Sequence, residues 1–175
     1  FFWVLCLTGN FHLLVRRQRQ MGIRDRDVLW SEGQKHGMKP FGMRAMMSLR
    51  LDKFFGSWLS EFSPDYTAAE TGLDRFISFK KEVDFIGRSA AEAERDAGSA
   101  RKLCAFEVDA DDADVVAYEP IWLSGEVVGF CTSGGYSHYA SKSIAQGFVP
   151  TDRAVEGLEV EIEILGKMHK ARLIT

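Results

Sequence analysis

The fifteen residues Lys39-Pro-Phe-Gly-Met-Arg-Ala-Met-Met-Ser-Leu-Arg-Leu-Asp-Lys53 decide how the rest of the chain is read. Pro40 and Gly42 set a turn that feeds a segment with helical spacing. Met43, Met46, Met47, Leu51 and Phe54 recur with a 3.6-residue period and share one apolar face. Arg44 and Ser48 lie four residues apart on a different face, and Arg50 lies near the apolar edge. The pattern has two uses. A packed helix can leave its arginines in water, where arginine is usually found, or arginines at the edge of a core can hold an anionic ligand. Periodicity leaves both open.

Further motifs follow in order: Glu70-Thr-Gly-Leu-Asp-Arg-Phe76, Asp84-Phe-Ile-Gly-Arg88, Gly125-Glu-Val-Val-Gly129, Thr132-Ser-Gly-Gly-Tyr136, Lys142-Ser-Ile-Ala145 and Gly147-Phe-Val-Pro150. With the 39–53 stretch they resemble the folate-binding region of the glycine-cleavage T-protein (aminomethyltransferase) family. The pattern is most like the version fused behind an FAD oxidase domain in dimethylglycine and sarcosine dehydrogenases. The resemblance covers roughly Asp27 to the C-terminus. It implies an α+β fold: the C-terminal half of a T-protein-type folate-binding domain over 27–98, then a small antiparallel β-barrel domain over 99–175. Met43-Arg44-Ala45-Met46 follows the dehydrogenase type. The T-proteins proper carry Ala-Arg-Asp where this chain has Ala45-Met46-Met47, and Met47 stands where an acidic residue is usual.

The resemblance implies one-carbon transfer to tetrahydrofolate. In the fused dehydrogenases FAD, on a preceding domain, first oxidises an N-methyl amine, and the folate domain captures the released carbon. The implied cofactor-binding residues are Arg44, Glu70, Tyr136 and His138; for Glu70 a structural cap is the equal alternative. No catalytic residue is expected here, because the family's catalytic carboxylate belongs to the N-terminal half of the folate domain. No metal site is expected. The chain alone is therefore expected to be inactive, its partners being folate, a methylated amine and the N-terminal part of the protein. One alternative is the C-terminus of a stand-alone aminomethyltransferase or folate-dependent demethylase. Another is a folate-binding regulatory protein without turnover, which Met47 keeps open.

Composition is that of a globular protein: 46% hydrophobic and 27% charged residues over 175 positions. A net charge of −3 gives no reason to expect a nucleic acid or anionic membrane as partner. Cys6, Cys104 and Cys131 are odd in number and lack Cys-x-x-Cys spacing, which argues against a disulfide framework or zinc site and for a reducing compartment. The cytoplasm is the expected location.

Residues 1–26 hold five arginines and one aspartate, whereas the remainder is acidic. The apolar run Phe1–Leu7 is too short to span a bilayer, which takes about 20 residues. Its positive charges also follow rather than precede it, unlike a secretory signal. Met21-Gly-Ile-Arg-Asp-Arg26 resembles the in-frame translation of a sequencing-library adapter, so 1–26 is expected to be an artefactual or disordered extension, with a genuine extension as the alternative.

Local signals fill in the rest. A short helix is expected from an Asp27 N-cap to Gly37, a strand at Phe76–Phe79, and a helix from a Ser89–Glu92 capping box to Gly98. From Arg101 the period changes to two. Leu103, Ala105 and Glu107 alternate with Cys104, Phe106 and Val108, and Leu158–Leu165 alternates strictly. Ser124-Gly125 and Gly166-Lys167 are expected hairpin turns, and Thr132–His138 a glycine-rich loop beside the ligand. Asp109–Asp114 reads as a solvated acidic loop rather than a calcium loop, lacking the distal glutamate of an EF-hand. Ser133, Ser137 and His138 lie close together, but no nucleophile elbow surrounds either serine.

Overall fold

The computed structural model describes residues 11–174, which fall into one unit ending at Gly42 and another beginning at Met43. The apolar run Phe1–Leu7 lies outside the described residues.

The first unit is one helix, α1 (Phe11–Gln34). Asp27 is therefore inside a helix and not its N-cap. No proline interrupts 11–34, and a run rich in arginine, glutamine and leucine carries the helix across Arg26–Asp27. The expected stop at Gly37 is present. Gly37 takes φ +74°, its N–H donates to Gln34 O at 3.1 Å, and Met38 N–H donates to Gly33 O at 2.9 Å.

The second unit is organised on a closed six-stranded barrel of β1 (Arg101–Val108), β2 (Pro120–Leu123), β3 (Glu126–Ser137), β4 (Lys142–Pro150), β5 (Glu159–Ile164) and β6 (Lys167–Leu173). The strands follow one another in the order β1-β4-β3-β2-β5-β6, each antiparallel to its neighbours. Both expected tight hairpins form, the second turning at Leu165-Gly166, one residue before the expected Gly166-Lys167. Ser124 and Gly125 take φ 53° and 84°, and Leu165 and Gly166 take 49° and 80°. Two consecutive positive φ values match the right-handed twist of the flanking strands.

Alternation fills the barrel. Cys104, Phe106 and Val108 of β1 and Val160, Ile162 and Ile164 of β5 join one buried cluster, with Glu159 and Glu161 exposed. Cys104 and Cys131 are sealed in: burial pushes the Cys104 thiol up to about 11, and burial with a smaller push from Glu119 takes Cys131 to about 12. The thiolate is the reactive species. Iodoacetamide at pH 8 is expected to leave both unmodified in the folded chain and to alkylate both in denaturant, read by peptide mass spectrometry. Because the folded values exceed the ordinary thiol value, their contribution to stability is complete below that value and is lost as pH rises toward 11–12.

β1 and β4 are buried on both faces, which the two-residue period alone does not announce. Leu103, Ile144 and Phe148 point away from the barrel interior and are buried all the same. Their cover comes from the 43–98 segment. Tyr66 stacks on Phe148 at 4.2 Å between ring centroids, and the Arg101 guanidinium lies over both rings at 4.8 and 5.5 Å. The short helix α2 (Met43–Leu51) packs on β3 and β4.

Within 43–98 several expectations change. Only Leu51 of the expected apolar face of α2 is buried; Met43, Met46 and Met47 are exposed. Phe76–Phe79 is not a strand but a 3₁₀ turn (Asp74–Phe76) and irregular chain, held by Arg88, which donates to Phe79 O at 2.6 Å and Lys81 O at 3.1 Å. Helix α3 (Arg88–Ala97) starts after Gly87 with no side-chain cap, so Ser89 lies inside it and the capping box does not form. An Arg88–Glu92 ion pair at 3.0 Å supports that first turn instead, and the helix ends at Gly98 as expected. Finally, Thr132–Ser137 is strand rather than loop, with a register shift between Cys131 and Ser133.

Candidate functional site

α2 lies on the outer side of the sheet with its Arg44–Ser48 face toward the end of β3. Ser48 Oγ donates to Tyr136 O at 2.8 Å. Arg44 sits one helical turn from Ser48, where side chains four apart are neighbours. It is exposed, with no acidic partner among the described residues. Tyr136 is 42% exposed, and its ring meets His138 edge-on at 5.1 Å between centroids and 74° between planes. That arrangement leaves aromatic surface free to cover a planar ligand, with a permanent cation one turn along the helix. Tyr136 also lines a groove of about 770 Å³ on the barrel, together with Trp122, Lys142, Lys170 and Arg172. Those cations alternate with Glu107, Glu159 and Glu161, and Lys142 is ion-paired to Glu107.

Three of the four residues singled out in the sequence are thus brought to one end of β3. Glu70 is not. Its Oε1 accepts from Arg101 Nε at 2.8 Å, its Oε2 from Thr67 N–H at 3.0 Å, and its carbonyl from Leu103 N–H at 2.8 Å. Leu103 pairs with Phe148, whereas Tyr136 pairs with Ser143. Five residues along β4 at 3.2–3.4 Å each put the two ends roughly 17 Å apart. The carboxylate of Glu70 joins the 67–70 turn to β1.

The charged group that sequence reasoning missed is Glu61, fully buried beneath α2. Its Oε2 accepts from Arg50 Nη1 at 3.2 Å, Ser57 N–H at 2.6 Å and Ser60 Oγ at 2.7 Å, while Oε1 accepts from Ser133 Oγ. Burial alone pushes this carboxyl up, but the donors from Ser133, Ser57, Ser60 and Thr132 together outweigh it and hold the group below its ordinary value. Arg50 is 12% exposed and also donates to Phe55 O at 2.9 Å and Gln146 Oε1 at 3.3 Å. Its charged partner is therefore the carboxylate of Glu61. Gln146 was the available signal: an amide inside the apolar run Ile144–Val149 is a strand position buried on both faces that needs a polar partner.

The serines near His138 are occupied. Ser133 donates to Glu61, and Ser137 Oγ accepts from Ala140 N–H at 3.0 Å. In the acidic loop Lys167 pairs with Asp112 at 2.9 Å and Asp109 N–H donates to Lys170 O, which fastens the loop to β6. Among the described residues no three of His, Cys, Asp and Glu group as metal ligands, and no helix is long and apolar enough to cross a membrane.

The two halves of this site carry different family signatures. The GCVT N-terminal domain matches residues 11–81, running across Arg26–Asp27, and the glycine cleavage T-protein C-terminal barrel domain matches 101–175. Together they cover most of the chain, which belongs to the glycine cleavage T-protein family. Its relatives are enzymes. Human mitochondrial dimethylglycine dehydrogenase is 36% identical over 167 residues, 95% of this chain and 19% of that protein. The aminomethyltransferase of Symbiobacterium thermophilum is 34% identical over 148 residues, 85% of this chain and 39% of that one. The chain thus spans between about a fifth and two fifths of these relatives. The glycine cleavage system aminomethyltransferase T of Bartonella henselae shares the fold, with a TM-score of 0.77 at 23% identity over 86% of this chain and 42% of that chain.

Proposed function

We propose that this chain supplies the barrel side of a tetrahydrofolate site in a one-carbon transfer enzyme of the dimethylglycine or sarcosine dehydrogenase type. Residues 27–98 belong to its folate-binding domain and 99–175 form its barrel domain. The observation that carries the reading is the docking of α2 on β3 through Ser48 and the Tyr136 carbonyl, which puts Arg44 one helical turn from the strand end that bears the exposed Tyr136–His138 pair. In this reading Tyr136 and His138 cover the flat ring system of the folate. Arg44 attracts its carboxylate tail, and Glu70 shapes the far end of the domain. Bound folate supplies the nitrogen that takes up the one-carbon unit; these residues hold and orient it. The higher identity to the dehydrogenases, 36% for the human protein against 34% and 31% for aminomethyltransferases, favours that type over a stand-alone transferase, and with it FAD on another domain.

Trp58 and Leu59 are 76% and 92% exposed and Phe55 is exposed beside them in sequence, which leaves an apolar surface on 43–98. We take it as the surface on which the remainder of the folate-binding domain packs, bringing the catalytic carboxylate. Two results test the reading. Tetrahydrofolate titrated into the chain is expected to shift the NMR resonances of Tyr136 and His138; silence there at millimolar ligand overturns it. The chain alone, given tetrahydrofolate, FAD and dimethylglycine, is expected to form no methylenetetrahydrofolate, and turnover would show the domain to be complete without that partner.

A further inference from the structure

We propose that Glu61 is a positioning residue for this site, an inference resting on the folate reading above. It is the node of a buried latch that joins three separate pieces of chain: Arg50 of α2, the turn at Ser57–Ser60, and Ser133 of β3. Arg50 extends the latch to Gln146 of β4, which is also fully buried. The latch and the Ser48–Tyr136 bond are the polar attachments of α2 to the barrel among the described residues, since the methionines beside them stay exposed. The latch therefore sets where Arg44 stands relative to Tyr136.

A buried ion pair is a poor source of net stability, because desolvation of both charges offsets their attraction. What it does impose is geometry. A carboxylate with donors arriving from three directions tolerates one arrangement of them, whereas apolar contacts slide. The latch is also over-supplied with donors: Arg50 Nε and Gln146 Nε2 are buried with no acceptor among the described residues. Glu61 is the carboxylate at the centre of these groups, and removing its charge leaves the guanidinium buried without a counterion.

The test compares wild type, Glu61→Gln and the double variant Arg50→Met/Glu61→Leu, which removes the latch without leaving a charge unpaired. Native-state hydrogen exchange is read at the α2 amides 47–51 and at β1 and β4, and tetrahydrofolate is titrated into the same samples. In Glu61→Gln the α2 amides are expected to exchange at least about tenfold faster while the barrel amides hold. In both variants the folate response of Tyr136 and His138 is expected to weaken at least about tenfold. Unchanged α2 exchange, or α2 and barrel accelerating together, overturns the latch. A double variant that binds folate as wild type does overturns the positioning role. If wild type shows no folate response, the folate reading fails, and the exchange data still decide whether Glu61 holds α2.

Discussion

Gly129→Ala is expected to destabilise the barrel by about 3 kcal/mol or more, the upper range for forcing a methyl group into filled space. A Cβ built on Gly129 falls 2.1 Å from the carbonyl oxygen of Phe148 and 3.1 Å from both Phe148 C and Val149 Cγ1. The obstacle is backbone, which cannot rotate away as a flexible side chain would. Nor can β3 retreat easily, because it is paired to β2 on one side and β4 on the other. Gly135→Ala is the matched control on the same strand. Its Cβ meets only Leu51 Cδ1, at an ordinary 3.4 Å. The gain from restricting the unfolded chain, about 0.4–1 kcal/mol, then leaves that variant near or slightly above wild type. Urea denaturation followed by tryptophan fluorescence measures both. Equal midpoints for the two variants would show that β3 and β4 can part at Gly129 without cost.

These glycines also mark where the sequence was legible and where it was not. Two-residue alternation gives β5 and the inward face of β1 directly, and two glycine turns mark the hairpins, whereas the outer faces of β1 and β4 are buried by other parts of the chain. A glycine inside a strand is ambiguous. Gly134-Gly135 reads as a loop that lets a ligand approach the backbone, yet Gly134 is needed because a Cβ there would strike Val115 at 2.5 Å. The 43–98 segment was least legible for a related reason. Its short helices and turns are fixed by bonds between residues far apart in sequence: Ser48 to Tyr136, Arg50 to Gln146, Arg101 to Glu70. No local spacing rule reaches across such separations. The candidate site divides along the same line. Arg44, Tyr136 and His138 stand out by residue type and motif, but Glu61, which ties α2 to β3, carries no such local signal.

Phe148→Ala should lose about as much stability as the largest core truncations, roughly 3–5 kcal/mol, but with a consequence that an interior truncation lacks. Phe148 is buried on the outer face of β4, stacked on Tyr66 and flanked by Phe130 at 5.9 Å and by Arg101. Its ring is therefore the floor on which the 54–74 segment rests. Phe106, on β1, is equally buried but belongs to the barrel interior. Phe106→Ala should cost a similar amount by leaving a cavity inside the barrel, with the Tyr66–Phe148–Arg101 stack intact. The two variants separate global stability from local attachment. Under native conditions limited proteolysis should cut Phe148→Ala within 54–74 much faster than Phe106→Ala, because local opening of that segment no longer has to break the stack. Glu61 and Gln146 lie in the same layer, so opening there also loosens the cover over the latch. Equal cleavage in both variants would mean that 54–74 comes free only when the barrel itself unfolds, and that its attachment is carried by Glu70 and Arg101 rather than by the aromatic stack.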